Sequence, residues 1–142
     1  MIEWKKRWSF LMVLAVLIAI FIAIMFMLVN AERRSKNVLA LKDLEQRLTL
    51  ICTQSHSIIQ KNNSASNATL KLDGKEITMK YGYPTPDETG IRLLVDVDSL
   101  GFVAGINGVF YKKGTRDPKH CCVSYNNLGN GIPKIAINSD GC

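Results

Sequence analysis

From Phe10 to Val29 every side chain is apolar, drawn from Phe, Leu, Met, Val, Ala and Ile alone. No other feature restricts the fold of this chain so tightly. At about 1.5 Å per residue the run makes about 30 Å of helix, the thickness of a bilayer's hydrocarbon core. Backbone N–H and C=O groups in hydrocarbon must find partners within their own segment, so the run is expected to be a transmembrane helix over residues 10–29. Trp4 and Trp8 stand where an interfacial aromatic belt would stand. Lys5, Lys6 and Arg7 precede the run, and Glu32, Arg33 and Arg34 follow it, so basic residues alone orient the segment only weakly. A secretory signal cut after Val29-Asn30-Ala31 is the rival reading. The run is longer than the usual signal core of about 7–15 residues, which favours an anchor.

Of the 142 residues, those beyond the run form a polar segment of about 110 residues, one ordinary domain. The net charge is +6, part of it in the Lys5-Lys6-Arg7 cluster. No basic stripe with interleaved aromatics is present, so nucleic acid is not an expected partner. Neither Pro nor Gly occurs between Met1 and Asp73. Leu41, Leu44, Leu48, Ile51, Ser55 and Ile58 recur at spacings of three and four, one face of a helix, with Lys42, Asp43, Glu45 and Arg47 between them. The first sixty or so residues therefore read as one long helix, ending in a loop at 61–67.

The period then changes to two. Leu70 and Leu72, then Ile77 and Met79, alternate with polar residues on either side of Asp73-Gly74, a pair suited to a type I′ turn. Tyr81-Gly82-Tyr83-Pro84-Thr85-Pro86 is expected to end the second strand, because Pro cannot donate to a ladder. Further strands are expected at Ile91–Val97, Phe102–Ala104, Val109–Tyr111, Cys122–Tyr125 and Lys134–Ile137, with turns at Asn107-Gly108 and Leu128-Gly129-Asn130-Gly131. An amphipathic helix followed by an antiparallel sheet packs as two layers, so the fold class is α+β.

Cys52, Cys121, Cys122 and Cys142 form an even set behind a membrane segment, which favours disulfides in an oxidising compartment. That places the N-terminus in the cytoplasm and residues 30–142 outside it. Antiparallel arms would bring Cys121 and Cys142 close, and closing that loop would constrain the unfolded chain by about 3 kcal/mol. Cys122 points to the opposite sheet face from Cys121 if both lie in a strand, and a Cys52–Cys122 bridge from helix to sheet is a further candidate. The sequence leaves three connectivities open.

A long N-terminal helix, a small antiparallel sheet and a cysteine-bounded C-terminal loop resemble a type IV pilin. The stretch from Asp73 to Cys142 is most similar to the mannose-sensitive haemagglutinin (MSHA) pilin group. The residues concerned are Tyr81-Gly82-Tyr83-Pro84, Thr89-Gly90-Ile91, Cys121-x-Val123-Ser124-Tyr125 and the final Gly141-Cys142. The resemblance implies a Cys121–Cys142 disulfide and a leader of residues 1–9 cut between Ser9 and Phe10. It also implies other pilin subunits, the pilus assembly machinery and the bacterial inner membrane as partners, and a surface or glycan as an adhesion target. The chain departs from the family at two positions. Ser9 replaces the Gly before the cut, and Leu14 replaces the Glu five residues into the mature chain. These departures point to a minor or biogenesis-linked subunit, or to a tethered domain that is never assembled.

Catalytic, cofactor-binding and metal-binding residues are not expected. Asp96 and Asp98 share a strand face at i, i+2, but nothing converges on them, and a solvated face accounts for them. His120-Cys121-Cys122 lacks the patterned four-ligand spacing of zinc sites, and His56 sits among polar helix residues, where a surface place is expected. No G-x-S-x-G, H-E-x-x-H or phosphate-binding loop occurs.

Overall fold

The computed structural model describes residues 2–62, 65–127 and 131–142, with side chains from Arg7 onward. They fall into two compact units, Met1–Lys36 and Asn37–Cys142. Helix α1 runs over Ile2–Lys61. Its length follows from the missing breakers: without Pro or Gly nothing interrupts the i→i−4 ladder. Asn62 N–H closes the last turn on Ile58 O at 3.0 Å, and Lys61 places a cation at the negative end of the dipole.

In the first unit every residue from Arg7 to Lys36 is exposed. Over residues 10–29 the helix is apolar all round. It is long and apolar enough to cross a membrane.

In the second unit the same helix is amphipathic. Leu41, Leu44, Leu48, Cys52, Ser55 and Ile59 are buried. The sequence placed Ile51 and Ile58 on this face, but both are only half-buried. After Leu48 the face advances by four residues rather than three, which brings in Cys52 and Ile59 and moves their neighbours to its margin. The one hydroxyl on this face is satisfied, since Ser55 Oγ donates to Ile51 O at 2.7 Å.

Among the described residues seven strands follow, in two sheets rather than one. The first sheet has order β1-β2-β3, with β1 Thr69–Leu72, β2 Lys75–Lys80 and β3 Tyr83–Pro84. Asp73 and Gly74 join β1 to β2 with φ of 48° and 77°, both positive as a type I′ turn requires. Tyr81 and Gly82, with φ of 56° and 81°, do the same between β2 and β3. The Tyr81–Pro84 stretch therefore does not end the strand as expected. It folds back, and Pro84 pairs with Met79 at the end of the sheet, where its missing N–H is tolerated.

Ile91–Val97 is also not a strand. Ile91–Leu94 forms a single helical turn, α2, and the chain runs on extended from Val95. The cause is local polar chemistry upstream. Asp87 Oδ1 accepts from Thr85 Oγ1, Thr89 N–H and Thr89 Oγ1 at 2.7–2.9 Å. Ile91 N–H then donates to Thr85 O at 2.8 Å, which commits the chain to a turn before β-propensity can act. The alternation survives in the extended part, where Val95 and Val97 are buried and Asp96 and Asp98 are exposed.

The second sheet has order β4-β5-β6-β7, all antiparallel, with β4 Phe102–Ala104, β5 Val109–Lys112, β6 Cys122–Asn126 and β7 Lys134–Asn138. Of the turn expected at 128–131, residues 128–130 lie outside the described residues. The larger core joins Leu41, Leu44, Leu48 and Cys52 of α1 to Phe102, Phe110, Val123 and Tyr125 of this sheet. A smaller core gathers Ile59, Leu70, Ile77 and Met79 under the first sheet.

Leu44 is fully buried and Leu50, six residues on, is 60 % exposed. Leu44→Ala should therefore cost about 2–5 kcal/mol and Leu50→Ala less than about 0.5 kcal/mol. Denaturant titration of the detergent-solubilised chain measures both.

Candidate functional site

Each sequence-predicted site residue can now be placed. Ser9 and Phe10 lie within α1, about two turns inside its start, and Val29 ends the apolar run on the same helix. Phe10 is 69 % exposed and Val29 42 %, so the anchor has no covering surface in its own unit. Continuous apolar exposure on this scale marks a surface built to meet lipid or other protein.

Cys121 and Cys142 are bonded, with Cα atoms 4.9 Å apart. The bridge closes the segment that holds β6 and β7. Gly141 N–H donates to His120 O at 2.7 Å, and Asn37 Nδ2 of α1 donates to Cys142 O at 3.3 Å, so the chain's end is tied to both the strand edge and the helix. A Cβ on Gly141 would meet Asp117 O at 2.6 Å, which explains the glycine before the final cysteine.

Cys52 and Cys122 are both buried and both unbridged, so the Cys52–Cys122 candidate is not formed. Strand periodicity gives the reason. Cys121, Val123 and Tyr125 belong to the core that includes the α1 leucines, and Cys122, between them, takes the other face. A bridge from the helix cannot reach it there. Cys122 Sγ instead donates to Lys119 O at 3.5 Å.

Cys52 has a different neighbour. Tyr125 is fully buried, and its hydroxyl donates to Pro84 O at 2.7 Å. The Cys52 thiol lies beside that hydroxyl. Burial pushes the Cys52 thiol from 9.0 up to about 11, against a smaller lowering by the Tyr125 hydrogen bond. Burial raises the Cys122 thiol and the Tyr125 phenol as well.

His56 is not a free surface residue. It is half-buried, stacks on Tyr83 with ring centroids 4.4 Å apart, and its Nδ1 meets Gly82 O at 3.1 Å. A carbonyl can only accept, so Nδ1 carries the proton. Gly82 is required here twice over: φ is +81°, and a Cβ would stand 2.8 Å from His56 Nδ1. Cys52, His56 and Tyr83 line one wall of an open groove of about 460 Å³ between α1 and the chain entering β7, opposite Ile132 and Pro133.

Asp96 and Asp98 do not converge on anything: Asp98 pairs with Lys113, and Asp96 accepts from Ser99 N–H at 3.3 Å. His120 is paired with Asp117 at 2.6 Å, which holds the Asp117 carboxyl below its ordinary value. No group of three or more His, Cys, Asp or Glu that could hold a metal ion occurs among the described residues. Sequence reasoning missed the His56–Tyr83 stack and the Cys52–Tyr125 contact. Comparison of the chain with protein-family models, with curated proteins and with solved structures returns no match.

The raised Cys52 thiol has a consequence for stability. The native state holds this proton to a higher pH than the unfolded chain, so its contribution is complete below about pH 9. It is lost as the pH rises towards 11, at about 1.4 kcal/mol per pH unit. Cys122 and Tyr125 act in the same direction, so Cys52→Ala should make the alkaline loss of stability shallower without abolishing it. Denaturant titrations between pH 8 and 11 check this, and an unchanged slope would show that Cys52 is not a titrating group.

Proposed function

We propose that this chain is a pilin-like subunit of a type IV, MSHA-type pilus, minor or linked to biogenesis, acting in pilus assembly and surface adhesion. The observation that carries the reading is the 7–36 stretch of α1, which is exposed along its whole length and apolar over Phe10–Val29. Such a helix needs lipid before assembly and other helices after it. In hydrocarbon it would associate by close packing of side chains, because water exclusion offers no driving force there. Residues 30–142 would stand outside the inner membrane, in a compartment that permits the Cys121–Cys142 bridge. The α+β order, with a helix sealing an antiparallel sheet and a disulfide holding the C-terminal segment, supports the same reading.

A second reading is a membrane-tethered extracytoplasmic binding domain that is neither processed nor assembled. Ser9 and Leu14 favour it, since both depart from the pilin leader and its buried Glu.

Intact mass spectrometry of the non-reduced protein, taken separately from the native membrane and from sheared surface filaments, distinguishes the two. A pilin-like subunit should be found in the filament fraction, begin at Phe10 and carry one disulfide. A chain that begins at Met1 and occurs only in the membrane would overturn the first reading and leave the second.

A further inference from the structure

Two adjacent thiols compete for one partner. Cys121 is bonded to Cys142 across a sequence separation of 21, and Cys122 is free. In the unfolded chain a Cys122–Cys142 bridge would close a loop only one residue shorter, so chain entropy separates the two by less than about a tenth in closing probability. The other pairings are weaker competitors. Loops from Cys52 to Cys121 or Cys142 are several times longer, which lowers their closing probability about sixfold to ninefold. A Cys121–Cys122 bond is disfavoured for another reason: adjacent Cα atoms are about 3.8 Å apart, below the roughly 4.4 Å that disulfides accept.

The folded state, in contrast, separates the two thiols completely. Cys121 is fully buried in the core that includes Leu41, Leu44 and Tyr125, and Cys142 packs against that core from its edge. Cys122 is buried on the opposite face of β6, between Tyr111 of β5 and Asn138 of β7 in register. A Cys122–Cys142 bridge would draw the C-terminus to the wrong face. That would break the Asn37 hydrogen bond to Cys142 O and the Gly141 hydrogen bond to His120 O.

We propose that oxidative folding of this chain passes through a Cys122–Cys142 isomer, which internal thiol–disulfide exchange then converts to the native bridge. The Cys121 thiolate attacks Cys142 Sγ. The Cys121–Cys142 bond forms as the Cys122–Cys142 bond breaks, and Cys122 leaves as a thiolate that takes a proton from water. One disulfide is consumed and one is made, so the step needs no oxidant; only the first bridge does, and a disulfide such as oxidised glutathione supplies it. Folding then makes the step one-way, because Cys122 becomes buried and bonded to Lys119 O, out of line with the bridge it has left. Cys122 is thus the leaving group of the maturation step, and the fold edits the pairing that chain entropy cannot select.

The full chain, solubilised in detergent, is reduced, unfolded and returned to folding conditions with a glutathione redox pair. Samples are quenched by alkylation, and the bridges are mapped by peptide mass spectrometry. At the earliest times Cys122–Cys142 and Cys121–Cys142 should be present within about twofold of each other. The first should then decay as the second grows, about tenfold faster per pH unit below the thiol pKa. Cys122→Ser should form the native bridge without that lag. Should Cys122→Ser fail to fold, the wild-type time course decides alone. Overturning results are a Cys122–Cys142 species that never exceeds a few per cent of the bridged chain, or one that persists beside the native form at equilibrium.

Discussion

The Tyr125 hydroxyl joins three parts of the unit formed by residues 37–142. Its ring is fully buried on β6, its proton goes to Pro84 O on β3, and the Cys52 thiol of α1 lies beside it. Pro84 has no N–H and closes one end of the first sheet, and its carbonyl takes the short Tyr125 bond together with a longer one from Asn127 Nδ2 at 3.4 Å. Asn127 reinforces the junction two residues further along, donating to Lys80 O at 2.8 Å. The two sheets therefore meet through side chains reaching backbone carbonyls, not through a continued ladder. A satisfied polar contact of this kind fixes a geometry that apolar packing alone would leave adjustable.

Once that junction is set, the C-terminal segment has few choices left. β6 carries Cys121 at its threshold, and the core face of the strand faces the α1 leucines. The chain's end must come to that face to reach Cys121. It is then held by Asn37 of α1 on one side and by the His120 carbonyl on the other. The disulfide adds to this mainly by limiting the unfolded chain, a contribution of about 3 kcal/mol for a loop of this length. Its placement keeps a terminal segment ordered that would otherwise fray.

Much of this was legible in the residues, and the exceptions share a cause. The long α1 followed from composition, and the Asp73-Gly74 hairpin followed from the need for two positive φ values. The Cys121–Cys142 bond came from a resemblance, since spacing left three pairings open. Elements were misread where a polar side chain overrode a propensity. Ile91–Val97 has strand-like residues, but Asp87 had already turned the chain. Tyr81 adopts a positive φ that its residue type does not advertise, so the fold-back to β3 was hidden behind two prolines. His56 looked like a surface residue because its neighbours in sequence are polar. Its partners, Gly82 and Tyr83, lie 26 and 27 residues away, and no local pattern reports them.

Helix α1 follows two different rules along its length, and the change between them bears on function. Beyond Asn37 its apolar residues form a stripe, as they do where one side meets a core and the other meets water. From Phe10 to Val29 every direction is apolar and exposed, and the smallest side chains, Ala15, Ala19 and Ala23, recur every four residues on one side. A helix of that kind distinguishes its sides by side-chain size and not by polarity. With Leu14 and no ionisable residue in the run, that small-residue side, and not a buried charge, is what a packed neighbour would meet.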